Sequence, residues 1–211
     1  MAPDSAAVRA EEKETGRIEA FSDGVFAIAI TLLVLELKVP HLPDGGAGGS
    51  LSAALLRQWP SYVAFVTSFF TILIMWANHH TIFRLVLKTD TPFLYANGLL
   101  LLVVTFVPFP TAVLAEYLNR PGSSVAGAFY GGTFVVAGVA YNLLWRTATR
   151  GRRLLRSDAP SNEELQRFTR RYRVGLPLYT LAAAGAFVSV FITVGICLAL
   201  MVFWIVTGRT V

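Results

Sequence analysis

Apolar residues run nearly unbroken over positions 17 to 39, 59 to 87, 92 to 117, 125 to 145 and 174 to 206, with short polar connections between them. Wound as a helix at 1.5 Å per residue, the first run is about 34 Å long, enough to cross a hydrocarbon core of about 30 Å. The last is too long for one crossing without heavy tilt, and it divides near residues 188 to 193. The pattern therefore predicts an all-α polytopic membrane protein of six transmembrane helices, at about 17–39, 59–87, 92–117, 125–145, 173–190 and 192–207. Residues 1–16, polar and mixed in charge, are expected to form a mobile cytoplasmic tail, and 17–211 a single transmembrane domain.

Local signals punctuate these runs. HLPDGGAGGS after the first reads as a flexible loop, since Pro and Gly cannot continue a helix. Pro92 suits the first turn of the third span, while Pro108 and Pro110 each remove a backbone donor from its last third and predict a bend. The fourth span is rich in Gly and Ala, which permit close helix contact. Asp158 to Ser161 break the chain again, and Ser161 with Glu164 makes a capping box.

At about 100° per residue, Phe21, Gly24, Ile28, Thr31, Leu32, Leu35 and Val39 fall on one stripe of the first helix, and Asp23 points to nearly the opposite side. An aliphatic stripe on a membrane helix faces lipid or a neighbouring helix. A carboxylate at bilayer depth costs about 2.5–3.5 kcal/mol on insertion scales unless it lies near the interface or finds a partner. The second span supplies candidates at its far end, in MWANHH. Antiparallel to the first helix, that end lies beside Arg17, Ser22 and Asp23, so Asp23 is expected to accept hydrogen bonds from His80 and the Trp76 indole, with Asn78 nearby. His79 and His80 point about 100° apart and find no third ligand at a suitable spacing, so no metal site is expected.

Three blocks carry a family resemblance: Arg17-x-x-x-Phe21-Ser22-Asp23-Gly24 at the mouth of the first helix, MWANHH with Trp76 and His80 four residues apart, and VPFPT at 107 to 111. Together they resemble the transmembrane protein 175 family of lysosomal and prokaryotic potassium channels. The resemblance implies a potassium channel in which Ile28, Leu32 and Leu35 sit at the constriction of a central pore lined by the first helix of each subunit. Members with one copy of the motif assemble as tetramers, and no second copy occurs here. Arg17, Phe21, Ser22, Asp23, Trp76 and His80 then form a network that fixes the rotation of the pore helix.

Charge sharpens the topology. The chain has 211 residues, 55% of them hydrophobic and 15% charged, with a mean hydropathy of +0.57 and a net charge of +5. The positive excess is not spread as a nucleic-acid surface would be: nine arginines lie between Arg146 and Arg173, in one connection. With six spans and the N-terminus inside, that connection and the one carrying Arg84 and Lys88 face the cytoplasm, as does the C-terminus, in a multi-pass protein of the cell membrane. The basic connection is read as setting topology only, the alternative being a site for anionic lipid headgroups. The single Cys197 excludes an intrachain disulfide. No nucleophile elbow, HExxH or phosphate-cradling glycine loop supports an enzyme, and no cofactor is implied beyond potassium as the permeant ion.

No TVGYG-like loop is present, so rings of backbone carbonyls are not available for selectivity. An apolar ring offers an ion no oxygen in exchange for its water. Because potassium holds its hydration shell less tightly than sodium, such a ring favours potassium modestly, with Thr31 either lending hydroxyl oxygens or bonding back to its own helix. The alternative is a proton-coupled transporter relaying protons through Asp23 and His80. Against it, the polar residues cluster at one end of the helix, whereas transporter sites lie near the midplane of broken helices.

Overall fold

The computed structural model describes residues 5–41 and 50–207, so positions 42–49 of the Gly-rich connection and the last four residues lie outside the described residues. Within them the chain is all helical: α1 Ser5–Leu32, α2 Leu51–Arg57, α3 Trp59–Leu85, α4 Thr91–Phe106, α5 Pro108–Tyr117, α6 Ser123–Thr149, α7 Asn162–Gly185 and α8 Val190–Thr207. Four helical stretches are long and apolar enough to cross a membrane, Arg9–Glu36, Trp59–Leu85, Thr91–Tyr117 and Ser123–Arg152, and Val190–Val206 is a shorter apolar helix.

The polar segment expected to be a mobile tail is, from Ser5 onward, the beginning of α1. Thr15, Ser22, Phe26, Ala29 and Leu33 recur at helical spacing and are buried, on a helix that packs against α3 and α4 and whose last turn meets α3 and α5. The helix tightens into a 3-10 turn at Leu33–Glu36 and leaves helical geometry at Leu37, short of the expected limit at residue 39.

Asp90 starts α4, its Oδ1 accepting from the Phe93 N–H at 3.0 Å, with Pro92 in the first turn. The third span breaks at Val107. Pro108 has no N–H to continue the ladder, and the Val107 N–H bonds to Val104 O at 3.2 Å, a tighter turn. Above the break, Thr111 of α5 joins Ser68 of α3 at 2.8 Å, and Ser68 joins the Tyr130 hydroxyl of α6 at 3.0 Å, all buried.

α6 and α7 form the most extensive helix pair. At Gly131 an added Cβ would stand 2.9 Å from the Ala183 backbone, so only glycine permits that approach. α7 begins at Asn162, started by the expected Ser161/Glu164 capping box, and runs on through residue 173, where the fifth apolar span was expected to begin. Its first turns then pack through Phe168, Thr169 and Tyr172 on Trp145, whose Nε1 donates to Thr169 Oγ1 at 2.8 Å. Residues 186–189 turn the chain into α8, and Thr193 ties the turn by donating to Ala182 O at 2.8 Å.

The arginine connection folds back on the end of α3. Leu155 pairs with Val86 as an isolated bridge, the Leu87 N–H bonds to Leu154 O at 2.8 Å, and the Arg156 N–H bonds to Leu85 O at 2.9 Å. The Arg152 guanidinium holds the connection's own carbonyls, at Ala159 (3.0 Å) and Pro160 (2.8 Å). This end also grips the start of α1. Arg156 Nη2 lies 2.8 Å from Glu12 Oε1, and Thr15 Oγ1 donates to Leu87 O at 2.9 Å. Arg153 pairs with Asp90. The first helix and the arginine connection thus meet at one end of the bundle.

Candidate functional site

α1 presents two chemically opposite faces. Along the predicted stripe, Phe21 (67% exposed), Ile28 (58%), Leu32 (40%) and Leu35 (64%) stand uncovered by the rest of the subunit, with Gly24 and Thr31 exposed among them. The Thr31 hydroxyl donates to the Ile28 carbonyl at 2.9 Å, the back-bond weighed above, which leaves its oxygen lone pairs facing outward.

The opposite face is held by three contacts. Trp76 Nε1 donates to Asp23 Oδ1 at 2.9 Å. His80 does not reach Asp23: its Nδ1 lies 2.8 Å from Glu19 Oε1. The two pairs form a ladder because Glu19 and Asp23 are one turn apart on α1, Trp76 and His80 one turn apart on α3, and the helices run antiparallel. The Trp76 and His80 rings stack with centroids 6.0 Å apart, so the two side chains brace one another.

The third contact is buried. Ser22 Oγ donates to Ile18 O at 2.9 Å and accepts from Asn97 Nδ2 at 3.0 Å, and Asn97 Oδ1 faces His79 Nε2 at 2.9 Å. With the Asn97 nitrogen committed to Ser22, its oxygen must accept, so the proton of the imidazole sits on Nε2. The ring lies against Phe26 (5.2 Å) and Phe83 (4.4 Å). Nδ1 is buried without a hydrogen-bond partner among the described residues, as a neutral lone pair. This chain of three side chains joins α1, α3 and α4 where no water competes.

Arg17 makes no hydrogen bond or ion pair among the described residues and borders an open groove with Phe21, Leu94 and Asn97. Asn78 donates to Ile74 O of its own helix at 3.0 Å. No group of three or more metal-ligating side chains occurs among the described residues. Sequence reasoning missed Glu19, His79 and Asn97. The available signals were Glu19 one turn before Asp23, and Asn97 as the lone amide in the apolar run after Pro92, in register with buried Phe93 and Leu100.

Replacing Trp76 with Phe keeps the ring and removes the donor. It is expected to lower stability by about 1 kcal/mol, because the acceptor is charged but only half buried. Thermal denaturation of Trp76→Phe, Asp23→Asn and the double variant checks this: the double should lose less than the sum.

Residues 17–108 match the family described as endosomal/lysosomal potassium channel TMEM175. A potassium channel of Chamaesiphon minutus is 54% identical over 92% of this chain and 95% of its own length. One of Streptomyces collinus is 49% identical over 83% of this chain and 84% of its own. The crystal structure of a lysosomal potassium-selective channel TMEM175 homolog from Chamaesiphon minutus superposes with a TM-score of 0.85. It is 50% identical, over 94% of this chain and all of that one.

Proposed function

Because the chain belongs to the TMEM175 family of potassium channels, we propose that it is a modestly potassium-selective cation channel in which four copies surround a pore lined by α1. The observation that carries this reading is the uncovered aliphatic face of α1, opposite a face pinned by hydrogen bonds to its own subunit. A helix anchored so firmly on one side holds the other in a fixed direction, as a pore lining requires.

Ile28, Leu32 and Leu35, each repeated around the axis, form stacked apolar rings. A narrow ring of this kind excludes ions by dewetting; a slightly wider one passes ions that keep most of their water and hinders sodium more than potassium. Thr31, its proton committed to the Ile28 carbonyl, presents acceptor oxygen beside the rings. Ser22, Asp23, Trp76 and His80, with Glu19, His79 and Asn97 added to them, act as the clamp that sets the rotation of α1, while Arg17 and the exposed Phe21 expected in it lie outside the contacts within the subunit. Arg17 and the groove beside it fit completion by a neighbouring copy.

In this reading α7 and α8 are the fifth and sixth spans, 17–211 is one channel domain, and residues 5–16 of α1 lie in the cytoplasm together with the arginine connection and the C-terminus. The cell membrane is the site of action, potassium the permeant species, and no cofactor is required.

Purified protein in liposomes tests the proposal. Potassium flux following its electrochemical gradient without a proton gradient, from particles whose mass is that of four chains, is the expected result. Flux that requires a proton gradient would replace the channel by a coupled transporter.

A further inference from the structure

Two neighbouring helices change character at the same height. On α6, exposed Val136, Val139 and Leu143 lie on one stripe that continues into exposed Arg146 and Arg150. On α7, exposed Leu181 and Val174 lead, in the other direction of the chain, to exposed Arg173, Arg170 and Arg167. Trp145 fixes their relative level: it hydrogen-bonds Thr169 at 2.8 Å and packs on Phe168 and Tyr172, so Arg146 stands beside the turn that carries Arg170. Outward faces that are apolar up to one level and cationic beyond it mark the boundary between acyl chains and headgroups.

These five arginines differ from the others of the same connection. Arg152 is committed to carbonyls of its own loop, Arg153 to Asp90, and Arg156 to Glu12 and Asp158. Arg146, Arg150, Arg167, Arg170 and Arg173 make no hydrogen bond or ion pair among the described residues. Of the acids in the first turn of α7, Glu164 is occupied in the capping box. Five guanidinium groups at headgroup depth, none in an ion pair among the described residues and only Arg167 with acids near it on its own helix, at Glu163 and Glu164, have in their phosphate-matched donors an obvious complement in the surrounding membrane.

We propose that this end of the α6–α7 pair is a binding surface for anionic phospholipids, with Arg146, Arg150, Arg167, Arg170 and Arg173 holding headgroup phosphates and the adjoining apolar stripes receiving the acyl chains. The site does not depend on which face of the subunit lines the pore. Structural arginines fasten the loop to the bundle, and these remain to fasten the bundle to one leaflet.

Native mass spectrometry of the full-length protein in detergent, with equimolar phosphatidylglycerol and phosphatidylcholine of identical chains, provides the test. The wild type is expected to retain phosphatidylglycerol in about tenfold excess, and R167Q/R170Q/R173Q to lower that excess to about twofold. R57Q, at the end of α2 near the opposite end of α3, should leave it unchanged. Glycerol phosphate at the same concentration should not displace the lipid. Equal retention of both lipids by the wild type would overturn the proposal even if the triple variant failed to fold. So would an excess that survives in that variant, or displacement by glycerol phosphate, which would make the surface a site for soluble phosphates. A variant that loses its assembly while keeping its lipid preference would assign the arginines to contacts between copies instead.

Discussion

Ile28→Asn in the reconstituted channel is expected to raise conductance several-fold and to bring the potassium-to-sodium permeability ratio close to unity. In the proposed assembly each subunit places one Ile28 at the axis, so the substitution exchanges a complete ring of methyl groups for a ring of amides. An aliphatic ring imposes the cost of removing water from an ion with nothing in return; a carboxamide carbonyl restores an oxygen and lets water remain in the constriction. The selectivity attributed to the ring depends on that unreturned cost being larger for sodium, so it should vanish as the barrier falls. The position is exposed on the subunit, and the fold has little stake in it. Bilayer recordings under bi-ionic conditions give both quantities, and an unchanged conductance and ratio would remove Ile28 from the constriction.

His79→Ala is expected to destabilise the subunit by about 3 kcal/mol, the largest single loss in the clamp. The imidazole fills space between Phe26 and Phe83, and its Nε2–H is the donor that satisfies Asn97. Truncation leaves both a cavity and a buried carbonyl oxygen without a donor. His79→Leu separates the two, since it keeps most of the volume and loses the hydrogen bond; it is expected to cost about 1 kcal/mol, in line with polar contacts between membrane helices. Loss of assembled particles on heating, followed by size-exclusion chromatography, measures both. A midpoint unchanged in His79→Ala would mean that the Ser22–Asn97–His79 chain contributes nothing to holding α1.

Why His79 had to be found in the structure follows from its helix. α3 is apolar nearly all round, and it buries Thr67, Ser68, Thr71 and His79 along with Ile72 and Ile82. Hydropathy therefore gives no core face, and which of two adjacent histidines turns inward is decided by Phe26 of α1 and Asn97 of α4, outside its own helix. α1 is different: its stripe from Phe21 to Leu35 could be read directly, because a period of 3.6 survives folding unchanged. The Trp76–Asp23 bond was also legible, since two antiparallel helices with polar ends must bring those ends together. The partner of His80 was not, because a spacing of four matches either Asp23 or Glu19 and the motif drew attention to the former.

The start of α1 was misread for a related reason. AEEKETG has the composition of a solvated tail, and what makes it helical and ordered is the grip of Leu87 and Arg156 on Thr15 and Glu12. That contact spans most of the chain and has no local signature. The start of α7 was legible by contrast: the Ser161/Glu164 capping box marks the helix at Asn162, while hydropathy alone registers only the apolar run from residue 173.

Among the described residues, every side-chain hydrogen bond or ion pair from α1 to another helix or connection comes from Asp23 or earlier: Glu11, Glu12, Thr15, Glu19, Ser22 and Asp23 itself. Beyond that point the helix meets its neighbours through Phe26, Ala29 and Leu33, and contacts between methyl and ring surfaces have no preferred direction. The polar contacts thus set the rotation at the lower end, and the close packing of Phe26, Ala29 and Leu33 carries it up to the level of Ile28, Leu32 and Leu35. In the proposed assembly, a substitution that loosens the clamp would therefore be read at the rings about one to three turns away, as a change in the width between opposing copies.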